Sequence, residues 1–314
     1  NWTFYYTQDI LDDFTGSNLL SDKQLADITE DITGIHQYLE ERGIPLFITI
    51  APDKKTIYPE QYPSGVNAAQ GMRRTQQLIE YIDEHSNVSF FSMEEALLAA
   101  KDKGYVYSPR VDNAHWNYLG GYIGYVDIIE KMAETGLDVE CIPLDECVIA
   151  TSQYDAMFNE TVPISETWYT ISNEKSGTVH LQREHLDNFP FLTFNKDPDN
   201  YKRYYVNDDQ SLPSLLFIGD SYSQKLFEFV PQSFSRVMFI HSADLPTLPK
   251  ILDQESFDVV VIESAERMLH FEFALFEACM DNIQREEEHA VLLERMNSLP
   301  IADHDEWGYQ FVDY

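Results

Sequence analysis

The run Leu215-Leu216-Phe217-Ile218, closing in Gly219-Asp220-Ser221, constrains this chain more than any other stretch. A short apolar run bounded by a turn signal reads as a strand buried on both faces. Leu226, Phe227 and Val230 then follow a helical pattern. A strand handing a serine to the first turn of a helix predicts Ser221 beside free backbone N–H groups and the positive end of a macrodipole, where an oxyanion is stabilised. Gly219 removes a side chain where backbone and substrate come close. A plainer reading fits the same residues. Ser221-Tyr222-Ser223-Gln224 matches a Ser-x-x-Gln capping box, and Asp220 or Ser223 serves equally as a simple cap. The rest of the chain has to separate a nucleophile from a cap.

Apolar runs at 44–50, 234–240 and 257–262 predict more buried strands, with shorter candidates at 88–91 and 105–107. Ser21 and Gln24 form a second capping-box pattern, followed by Leu25, Ile28, Ile32, Ile35 and Leu39 at helical spacing up to Gly43. Further helices are expected at 68–84, 93–101, 118–134 and 264–280. The first fourteen residues carry Trp2, Phe4, Tyr5 and Tyr6 and read as a strand or hairpin. Helix followed by strand, closed by the polar loop Ala51-Pro52-Asp53-Lys54-Lys55, is the α/β pattern, and ligands sit at the C-terminal ends of such strands. Thr, Tyr, Asn and Asp become frequent over about 138–207. That segment reads as a β-rich insertion, with Thr178-Val179-His180-Leu181-Gln182 as a half-exposed strand and Trp168, Phe189 and Phe191 packed on the main sheet. The tail from Gln284 is acidic and ends in Trp307, Tyr309 and Phe311.

With 54 acidic against 21 basic residues the formal net charge is −33, which disfavours a phosphate backbone or an anionic membrane as partner. No apolar run reaches the roughly 18 residues needed to span a bilayer. The chain starts at Asn1, as a trimmed or mature form would, so a removed signal or anchor stays open. Cys141, Cys147 and Cys279 match no zinc spacing; Cys141 and Cys147 either pair or stay free. No cofactor or metal motif is present.

A nucleophilic serine needs a histidine base and a group to orient it. Asp112-x-x-His115 puts a carboxylate and an imidazole on one short loop before a helix, with Trp116 as an apolar wall; equally, His115-Trp116 anchors a loop and Asp112 is a turn residue. His241, at the end of a predicted strand, is a rival base. Arg267 either clamps an anionic group or pairs with Glu263 or Glu266, and Lys54 and Lys55 either meet substrate or stay solvated.

Gly219-Asp220-Ser221 resembles the first block of the SGNH (GDSL-type) esterases. His115-Trp116-Asn117 with Gly120, placed upstream of it, resembles the alginate O-acetyltransferase-type branch that includes the DHHW proteins. The likeness extends over Trp2-Thr3-Phe4, residues 43–50, Ala51-Pro52-Asp53-Lys54, Tyr58-Pro59, residues 257–263 and Glu266-Arg267. It implies one SGNH-like three-layer α/β/α domain over 1–314 with a mostly parallel sheet, Ser221 as nucleophile and His115 as base. Gly219, Asp220, Trp116, Lys54, Tyr58 and Arg267 are the implied substrate or oxyanion contacts. The branch carries Asp two residues before the histidine, where this chain has Asn113; Asp112 lies three before it, as in ordinary GDSL enzymes. The orienting group is therefore Asp112 or Asn113.

The implied activity is serine-dependent O-acetyl transfer to an exported or cell-surface polysaccharide. The acetyl group would arrive through a membrane O-acyltransferase. The implied location is extracytoplasmic, with membrane contact only through a segment absent from this chain. Two alternatives remain. One is a carbohydrate acetyl esterase using the same residues. The other is a non-catalytic glycan-binding or scaffold protein, which the Asn113 departure motivates.

Overall fold

The computed structural model describes residues 2–158, 162–173, 178–194 and 201–298. A seven-stranded sheet forms the middle layer. Its strands are β1 (Leu46–Ala51), β2 (Ser89–Ser92), β5 (Val179–Leu181), β6 (Arg203–Asn207), β7 (Ser214–Gly219), β8 (Arg236–His241) and β9 (Val259–Ala265), in the order β2-β1-β9-β7-β8-β6-β5. The five from β2 to β8 run parallel; β6 and β5 add an antiparallel edge. β1, β7 and β9 are buried at every residue, which is why they read as mostly apolar runs, interrupted only by Thr49 in β1, Ser214 at the start of β7 and Glu263-Ser264 near the end of β9.

Alternate side chains feed two cores. Leu46, Ile48 and Ile50 face a layer that holds α2 (Asp22–Glu40), α5 (Arg74–His85), α8 (Leu248–Gln254) and α9 (Leu269–Ser298). Phe47, Phe217 and Val261 face α6 (Glu94–Ala100) and α7 (Tyr118–Glu134). Gly120 lies against the Val106 carbonyl, Gly121 against Lys225 and Gly124 against the Trp116 ring, so α7 keeps its glycines because its neighbours approach it closely. Ala51, Gly219, His241 and Ala265 all end at one edge of the sheet. The segment from 138 to 207 contributes β5, β6 and a separate antiparallel hairpin of β3 (Cys147–Phe158) and β4 (Val162–Asn173). Phe189 and Phe191 join the main core; the Trp168 side chain lies outside the described residues.

Several expectations need correction. Residues 2–6 form no strand, and α1 (Gln8–Thr15) follows them. Thr7 caps it by accepting the Ile10 N–H, and Ile10 and Phe14 face inward one turn apart. The helix expected from 68 starts only at Arg74, because the Gly71 N–H is taken by the Phe14 carbonyl. Two four-residue helices, α3 (Lys54–Ile57) and α4 (Ser64–Asn67), punctuate the preceding loop. Residues 105–107 contribute a single bridge, Tyr107 to Trp116. β9 runs on through Ser264 and Ala265, and α9 continues to Ser298, past the start of the acidic tail. Trp307, Tyr309 and Phe311 lie outside the described residues. Cys141, Cys147 and Cys279 are free thiols. Among the described residues no helix is long and apolar enough to cross a membrane.

Candidate active site

Ser221 stands immediately beyond β7, in a 3₁₀ turn, Ser221–Lys225, and not in an α-helix. The expected macrodipole is therefore missing, and so is the capping box. Asp220 is the N-cap: one carboxylate oxygen accepts the Tyr222 N–H at 2.8 Å, and the other accepts the Ala265 N–H at 2.9 Å. Glu263, fully buried on β9, accepts the Ser223 hydroxyl at 2.7 Å and the Asp220 N–H at 3.4 Å. Residues on both sides of Ser221 are thus tied to the neighbouring strand. Gly219 is required here because a Cβ would stand 2.8 Å from Glu263 Oε2 and closer still to Ser223 Oγ.

The serine side chain turns to the loop before α7. His115 Nε2 lies 2.8 Å from Ser221 Oγ, and His115 Nδ1 lies 3.1 Å from Asp112 Oδ2. With its proton on Nδ1, donated to Asp112, the neutral ring keeps the Nε2 lone pair for the serine proton. Asp112 is held by its second oxygen, which accepts the Ala114 and His115 N–H groups at 2.9 and 3.0 Å. Burial opposes ionisation of Asp112, but His115 and these two N–H groups outweigh it and bring its pKa down to about 2. The imidazole and carboxylate side chains stay 31% and 30% exposed, so the site opens to solvent. Among the described hydrogen bonds none uses the Ser221 N–H. Asn113 is exposed and meets Tyr5 through its carbonyl, at 2.7 Å from the Tyr5 N–H. Of the two alternatives for the orienting group, Asp112 is the one at the ring.

The remaining anticipated contacts lie beneath the site. Trp116 is buried and donates its indole N–H to the Tyr222 carbonyl at 3.0 Å; it supports the serine turn and forms no open wall. Arg267 donates to Asp53 at 2.7 Å and to the Tyr222 hydroxyl at 2.9 Å. Tyr222 in turn donates to the Ala114 carbonyl at 2.5 Å, beside His115. Tyr58 is buried, and its hydroxyl accepts the Val106 N–H at 3.0 Å. Lys54 and Lys55 are buried rather than solvated. Lys55 pairs with Asp13 and Glu266 at 3.1 and 3.3 Å. The rival base His241 accepts the Ala243 N–H on Nδ1 at 3.0 Å, and its ring lies flat on Phe194.

Tyr222, Glu263, Glu266 and Asp53 were not anticipated in these roles. Their one signal was position: each lies at or just past the end of an apolar strand, where a polar residue is buried only with partners.

The family model for the SGNH hydrolase-like domain of the acetyltransferase AlgX matches residues 1–234. The chain belongs to this family. The match stops before β8 and β9, yet both strands complete the same sheet. Among solved structures, Bacillus cereus PatB1 is similar at 14% identity and a TM-score of 0.58, over 79% of this chain and 90% of that one. A PatB1 structure with a sulfonyl adduct is similar over 86% of this chain and 93% of that one, at 14% identity and a TM-score of 0.56. A DHHW family protein from Eubacterium siraeum follows at 15% identity and a TM-score of 0.53, over 77% and 85%. At these identities the likeness is one of fold. No curated protein matches significantly. The domain is thus an SGNH-like α/β fold of the AlgX acetyltransferase family.

Proposed function

We propose that this protein is a serine-dependent O-acetyltransferase that modifies an exported or cell-surface polysaccharide through an acetyl-serine intermediate. The observation that carries the reading is the unbroken contact from Ser221 through His115 to Asp112. His115 Nε2 takes the Ser221 proton as Oγ attacks the acetyl carbonyl carbon of the donor ester. The tetrahedral oxyanion takes the Ser221 N–H, which has no acceptor among the described residues. Its collapse breaks the donor C–O bond, and His115 returns the proton to the leaving oxygen. A sugar hydroxyl then gives its proton to His115 and attacks acetyl-Ser221; as the bond from the acetyl carbon to Oγ breaks, His115 returns that proton to Oγ, releasing the sugar acetate and the free serine. Asp112 fixes the ring tautomer and stabilises the imidazolium in both halves.

The family model is named for an acetyltransferase, which favours a sugar hydroxyl over water as acceptor. Water would make the same site an esterase, and the 31% exposure of His115 is the observation that favours this second reading. Asp112 at Nδ1 argues against the non-catalytic reading, whose motive was Asn113. We place the protein outside the cytoplasm, with its acetyl donor supplied through a membrane O-acyltransferase.

The test incubates wild type and Ser221→Ala with an activated acetyl ester, with and without neutral oligosaccharides. Acetylated oligosaccharide from wild type alone is expected. Transfer at the wild-type rate by Ser221→Ala would exclude the mechanism. Free acetate as the sole product, whatever the acceptor, would establish the esterase.

A further inference from the structure

We infer that residues 2–6 and the Lys54 ammonium form a strap that positions Asp112 against His115, an inference that rests on the triad reading above. The Lys54 side chain is 2% exposed, and its Nζ donates to the backbone carbonyls of Thr3 at 2.6 Å, Asp112 at 2.9 Å and Pro109 at 3.3 Å. An ammonium has three N–H donors and no acceptor, so three converging carbonyls match it in number. Burying it is costly unless those donors are met. Lys54 begins α3, just past β1, so these bonds tie both the N-terminal segment and the Asp112 loop to the edge of the sheet.

Backbone bonds extend the tie. Thr3 N–H donates to Pro109 at 2.8 Å and Tyr5 N–H to Asn113 at 2.7 Å, so the strap pairs with the loop at either side of Asp112. The Thr3 hydroxyl adds a bond to the Arg110 carbonyl at 3.0 Å. Trp2 and Phe4 place their rings 5.3 and 5.4 Å from Nζ and cover it. Residues 108–115 carry no helix or strand of their own. Bonds within the loop shape the turn from Asp112 to His115, with Ser108 Oγ accepting the Val111 and Asp112 N–H groups at 2.9 and 3.3 Å and the Asp112 carboxylate accepting those of Ala114 and His115. The bonds from outside hold the backbone on which that turn is built. Lys54 grips the carbonyl of the residue whose carboxylate grips His115. Lys54 is thus a positioning residue that acts through Asp112 and does not touch substrate.

The test uses a deletion of residues 1–6, which stops short of the α1 cap Thr7 and removes no charged side chain, together with Lys54→Met. Turnover of a small activated acetyl ester should lose about tenfold or more in kcat in each variant, with KM within about twofold. In the deletion variant a displaced carboxylate loosens its bond to the His115 Nδ1–H, so the NMR signals of the His115 ring nitrogens and of that proton move towards those of Asp112→Asn. These ring signals report the loosened bond without any turnover. In an Asp112→Asn background neither change should cost further activity. Unchanged kcat and unchanged His115 ring signals would overturn the strap, as would equal losses with and without the Asp112 carboxylate. Should Lys54→Met unfold, Thr3→Pro removes one strap N–H and the hydroxyl at the surface, and the same reduction in kcat is expected. If wild type turns over no ester, the triad reading fails, and the His115 ring signals still judge the strap.

Discussion

Replacing Asp112 by Asn keeps the shape of the side chain and removes the charge that faces His115 Nδ1 at 3.1 Å. The imidazolium formed in each half-reaction then loses a unit negative charge about 4 Å from its own. Such a pair is worth about 4 kcal/mol at an effective dielectric of about 20 and about 1 kcal/mol in bulk water. Asp112 is 30% exposed, between these limits but nearer the first. A loss of about 2–4 kcal/mol in transition-state stabilisation corresponds to about 30- to 1,000-fold in kcat. Asn113→Ala, at an exposed position that meets its neighbour through the backbone, should stay within about threefold of wild type. The assay is steady-state turnover of a small activated acetyl ester, with folding checked by circular dichroism. A larger loss in Asn113→Ala than in Asp112→Asn would refute the assignment, as would an Asp112→Asn variant within threefold of wild type.

Other outcomes follow from the buried groups under the serine turn. Burial, and then the Asp220 charge, push the Glu263 carboxyl well above its ordinary pKa and favour its neutral form. Glu263→Gln should keep kcat within about threefold, whereas Glu263→Ala should lose the Ser223 bond and lower both kcat and Tm; equal losses in the two variants would show that a charge is needed. Gly219→Ala should destabilise by about 1–3 kcal/mol in urea denaturation, since its Cβ meets Glu263 and Ser223, and unchanged stability would contradict the packing described. Burial and Asp220 raise Glu272 to about 8. A folded-state pKa above the unfolded one means that stability falls as pH rises from about 4 towards that value. Glu272→Gln should therefore raise Tm more at pH 8 than at pH 5, and an equal change at both would exclude this.

The sheet was legible wherever both of its faces are covered. β1, β7 and β9 read as apolar runs because no side chain on them meets water. The Asp-x-x-His spacing was legible because Asp112 and His115 share one loop, so the pair is close in sequence as well as in space. Partnerships across the chain were not legible. Arg267 reads like a substrate clamp until Asp53 is found 2.7 Å away, 214 positions earlier. Lys54 reads like a solvated lysine because its three carbonyls belong to segments that only the fold brings together. Trp2, Phe4, Tyr5 and Tyr6 have strand-forming side chains, but that segment pairs with an irregular loop and not with a sheet edge. The turn at Ser221 is 3₁₀ because the Asp220 carboxylate takes the Tyr222 N–H and the Asp220 carbonyl takes the Ser223 N–H, contacts that residue type alone does not specify.

The central claim is that Ser221 carries the acetyl group. Intact-protein mass spectrometry after exposure to a small activated acetyl ester tests it directly, with wild type beside Ser221→Ala and His115→Ala. The account predicts a transient single-acetyl adduct on wild type, none on Ser221→Ala, and slowed formation on His115→Ala. An adduct of equal yield on Ser221→Ala, or a wild-type protein with neither adduct nor ester turnover, would contradict it.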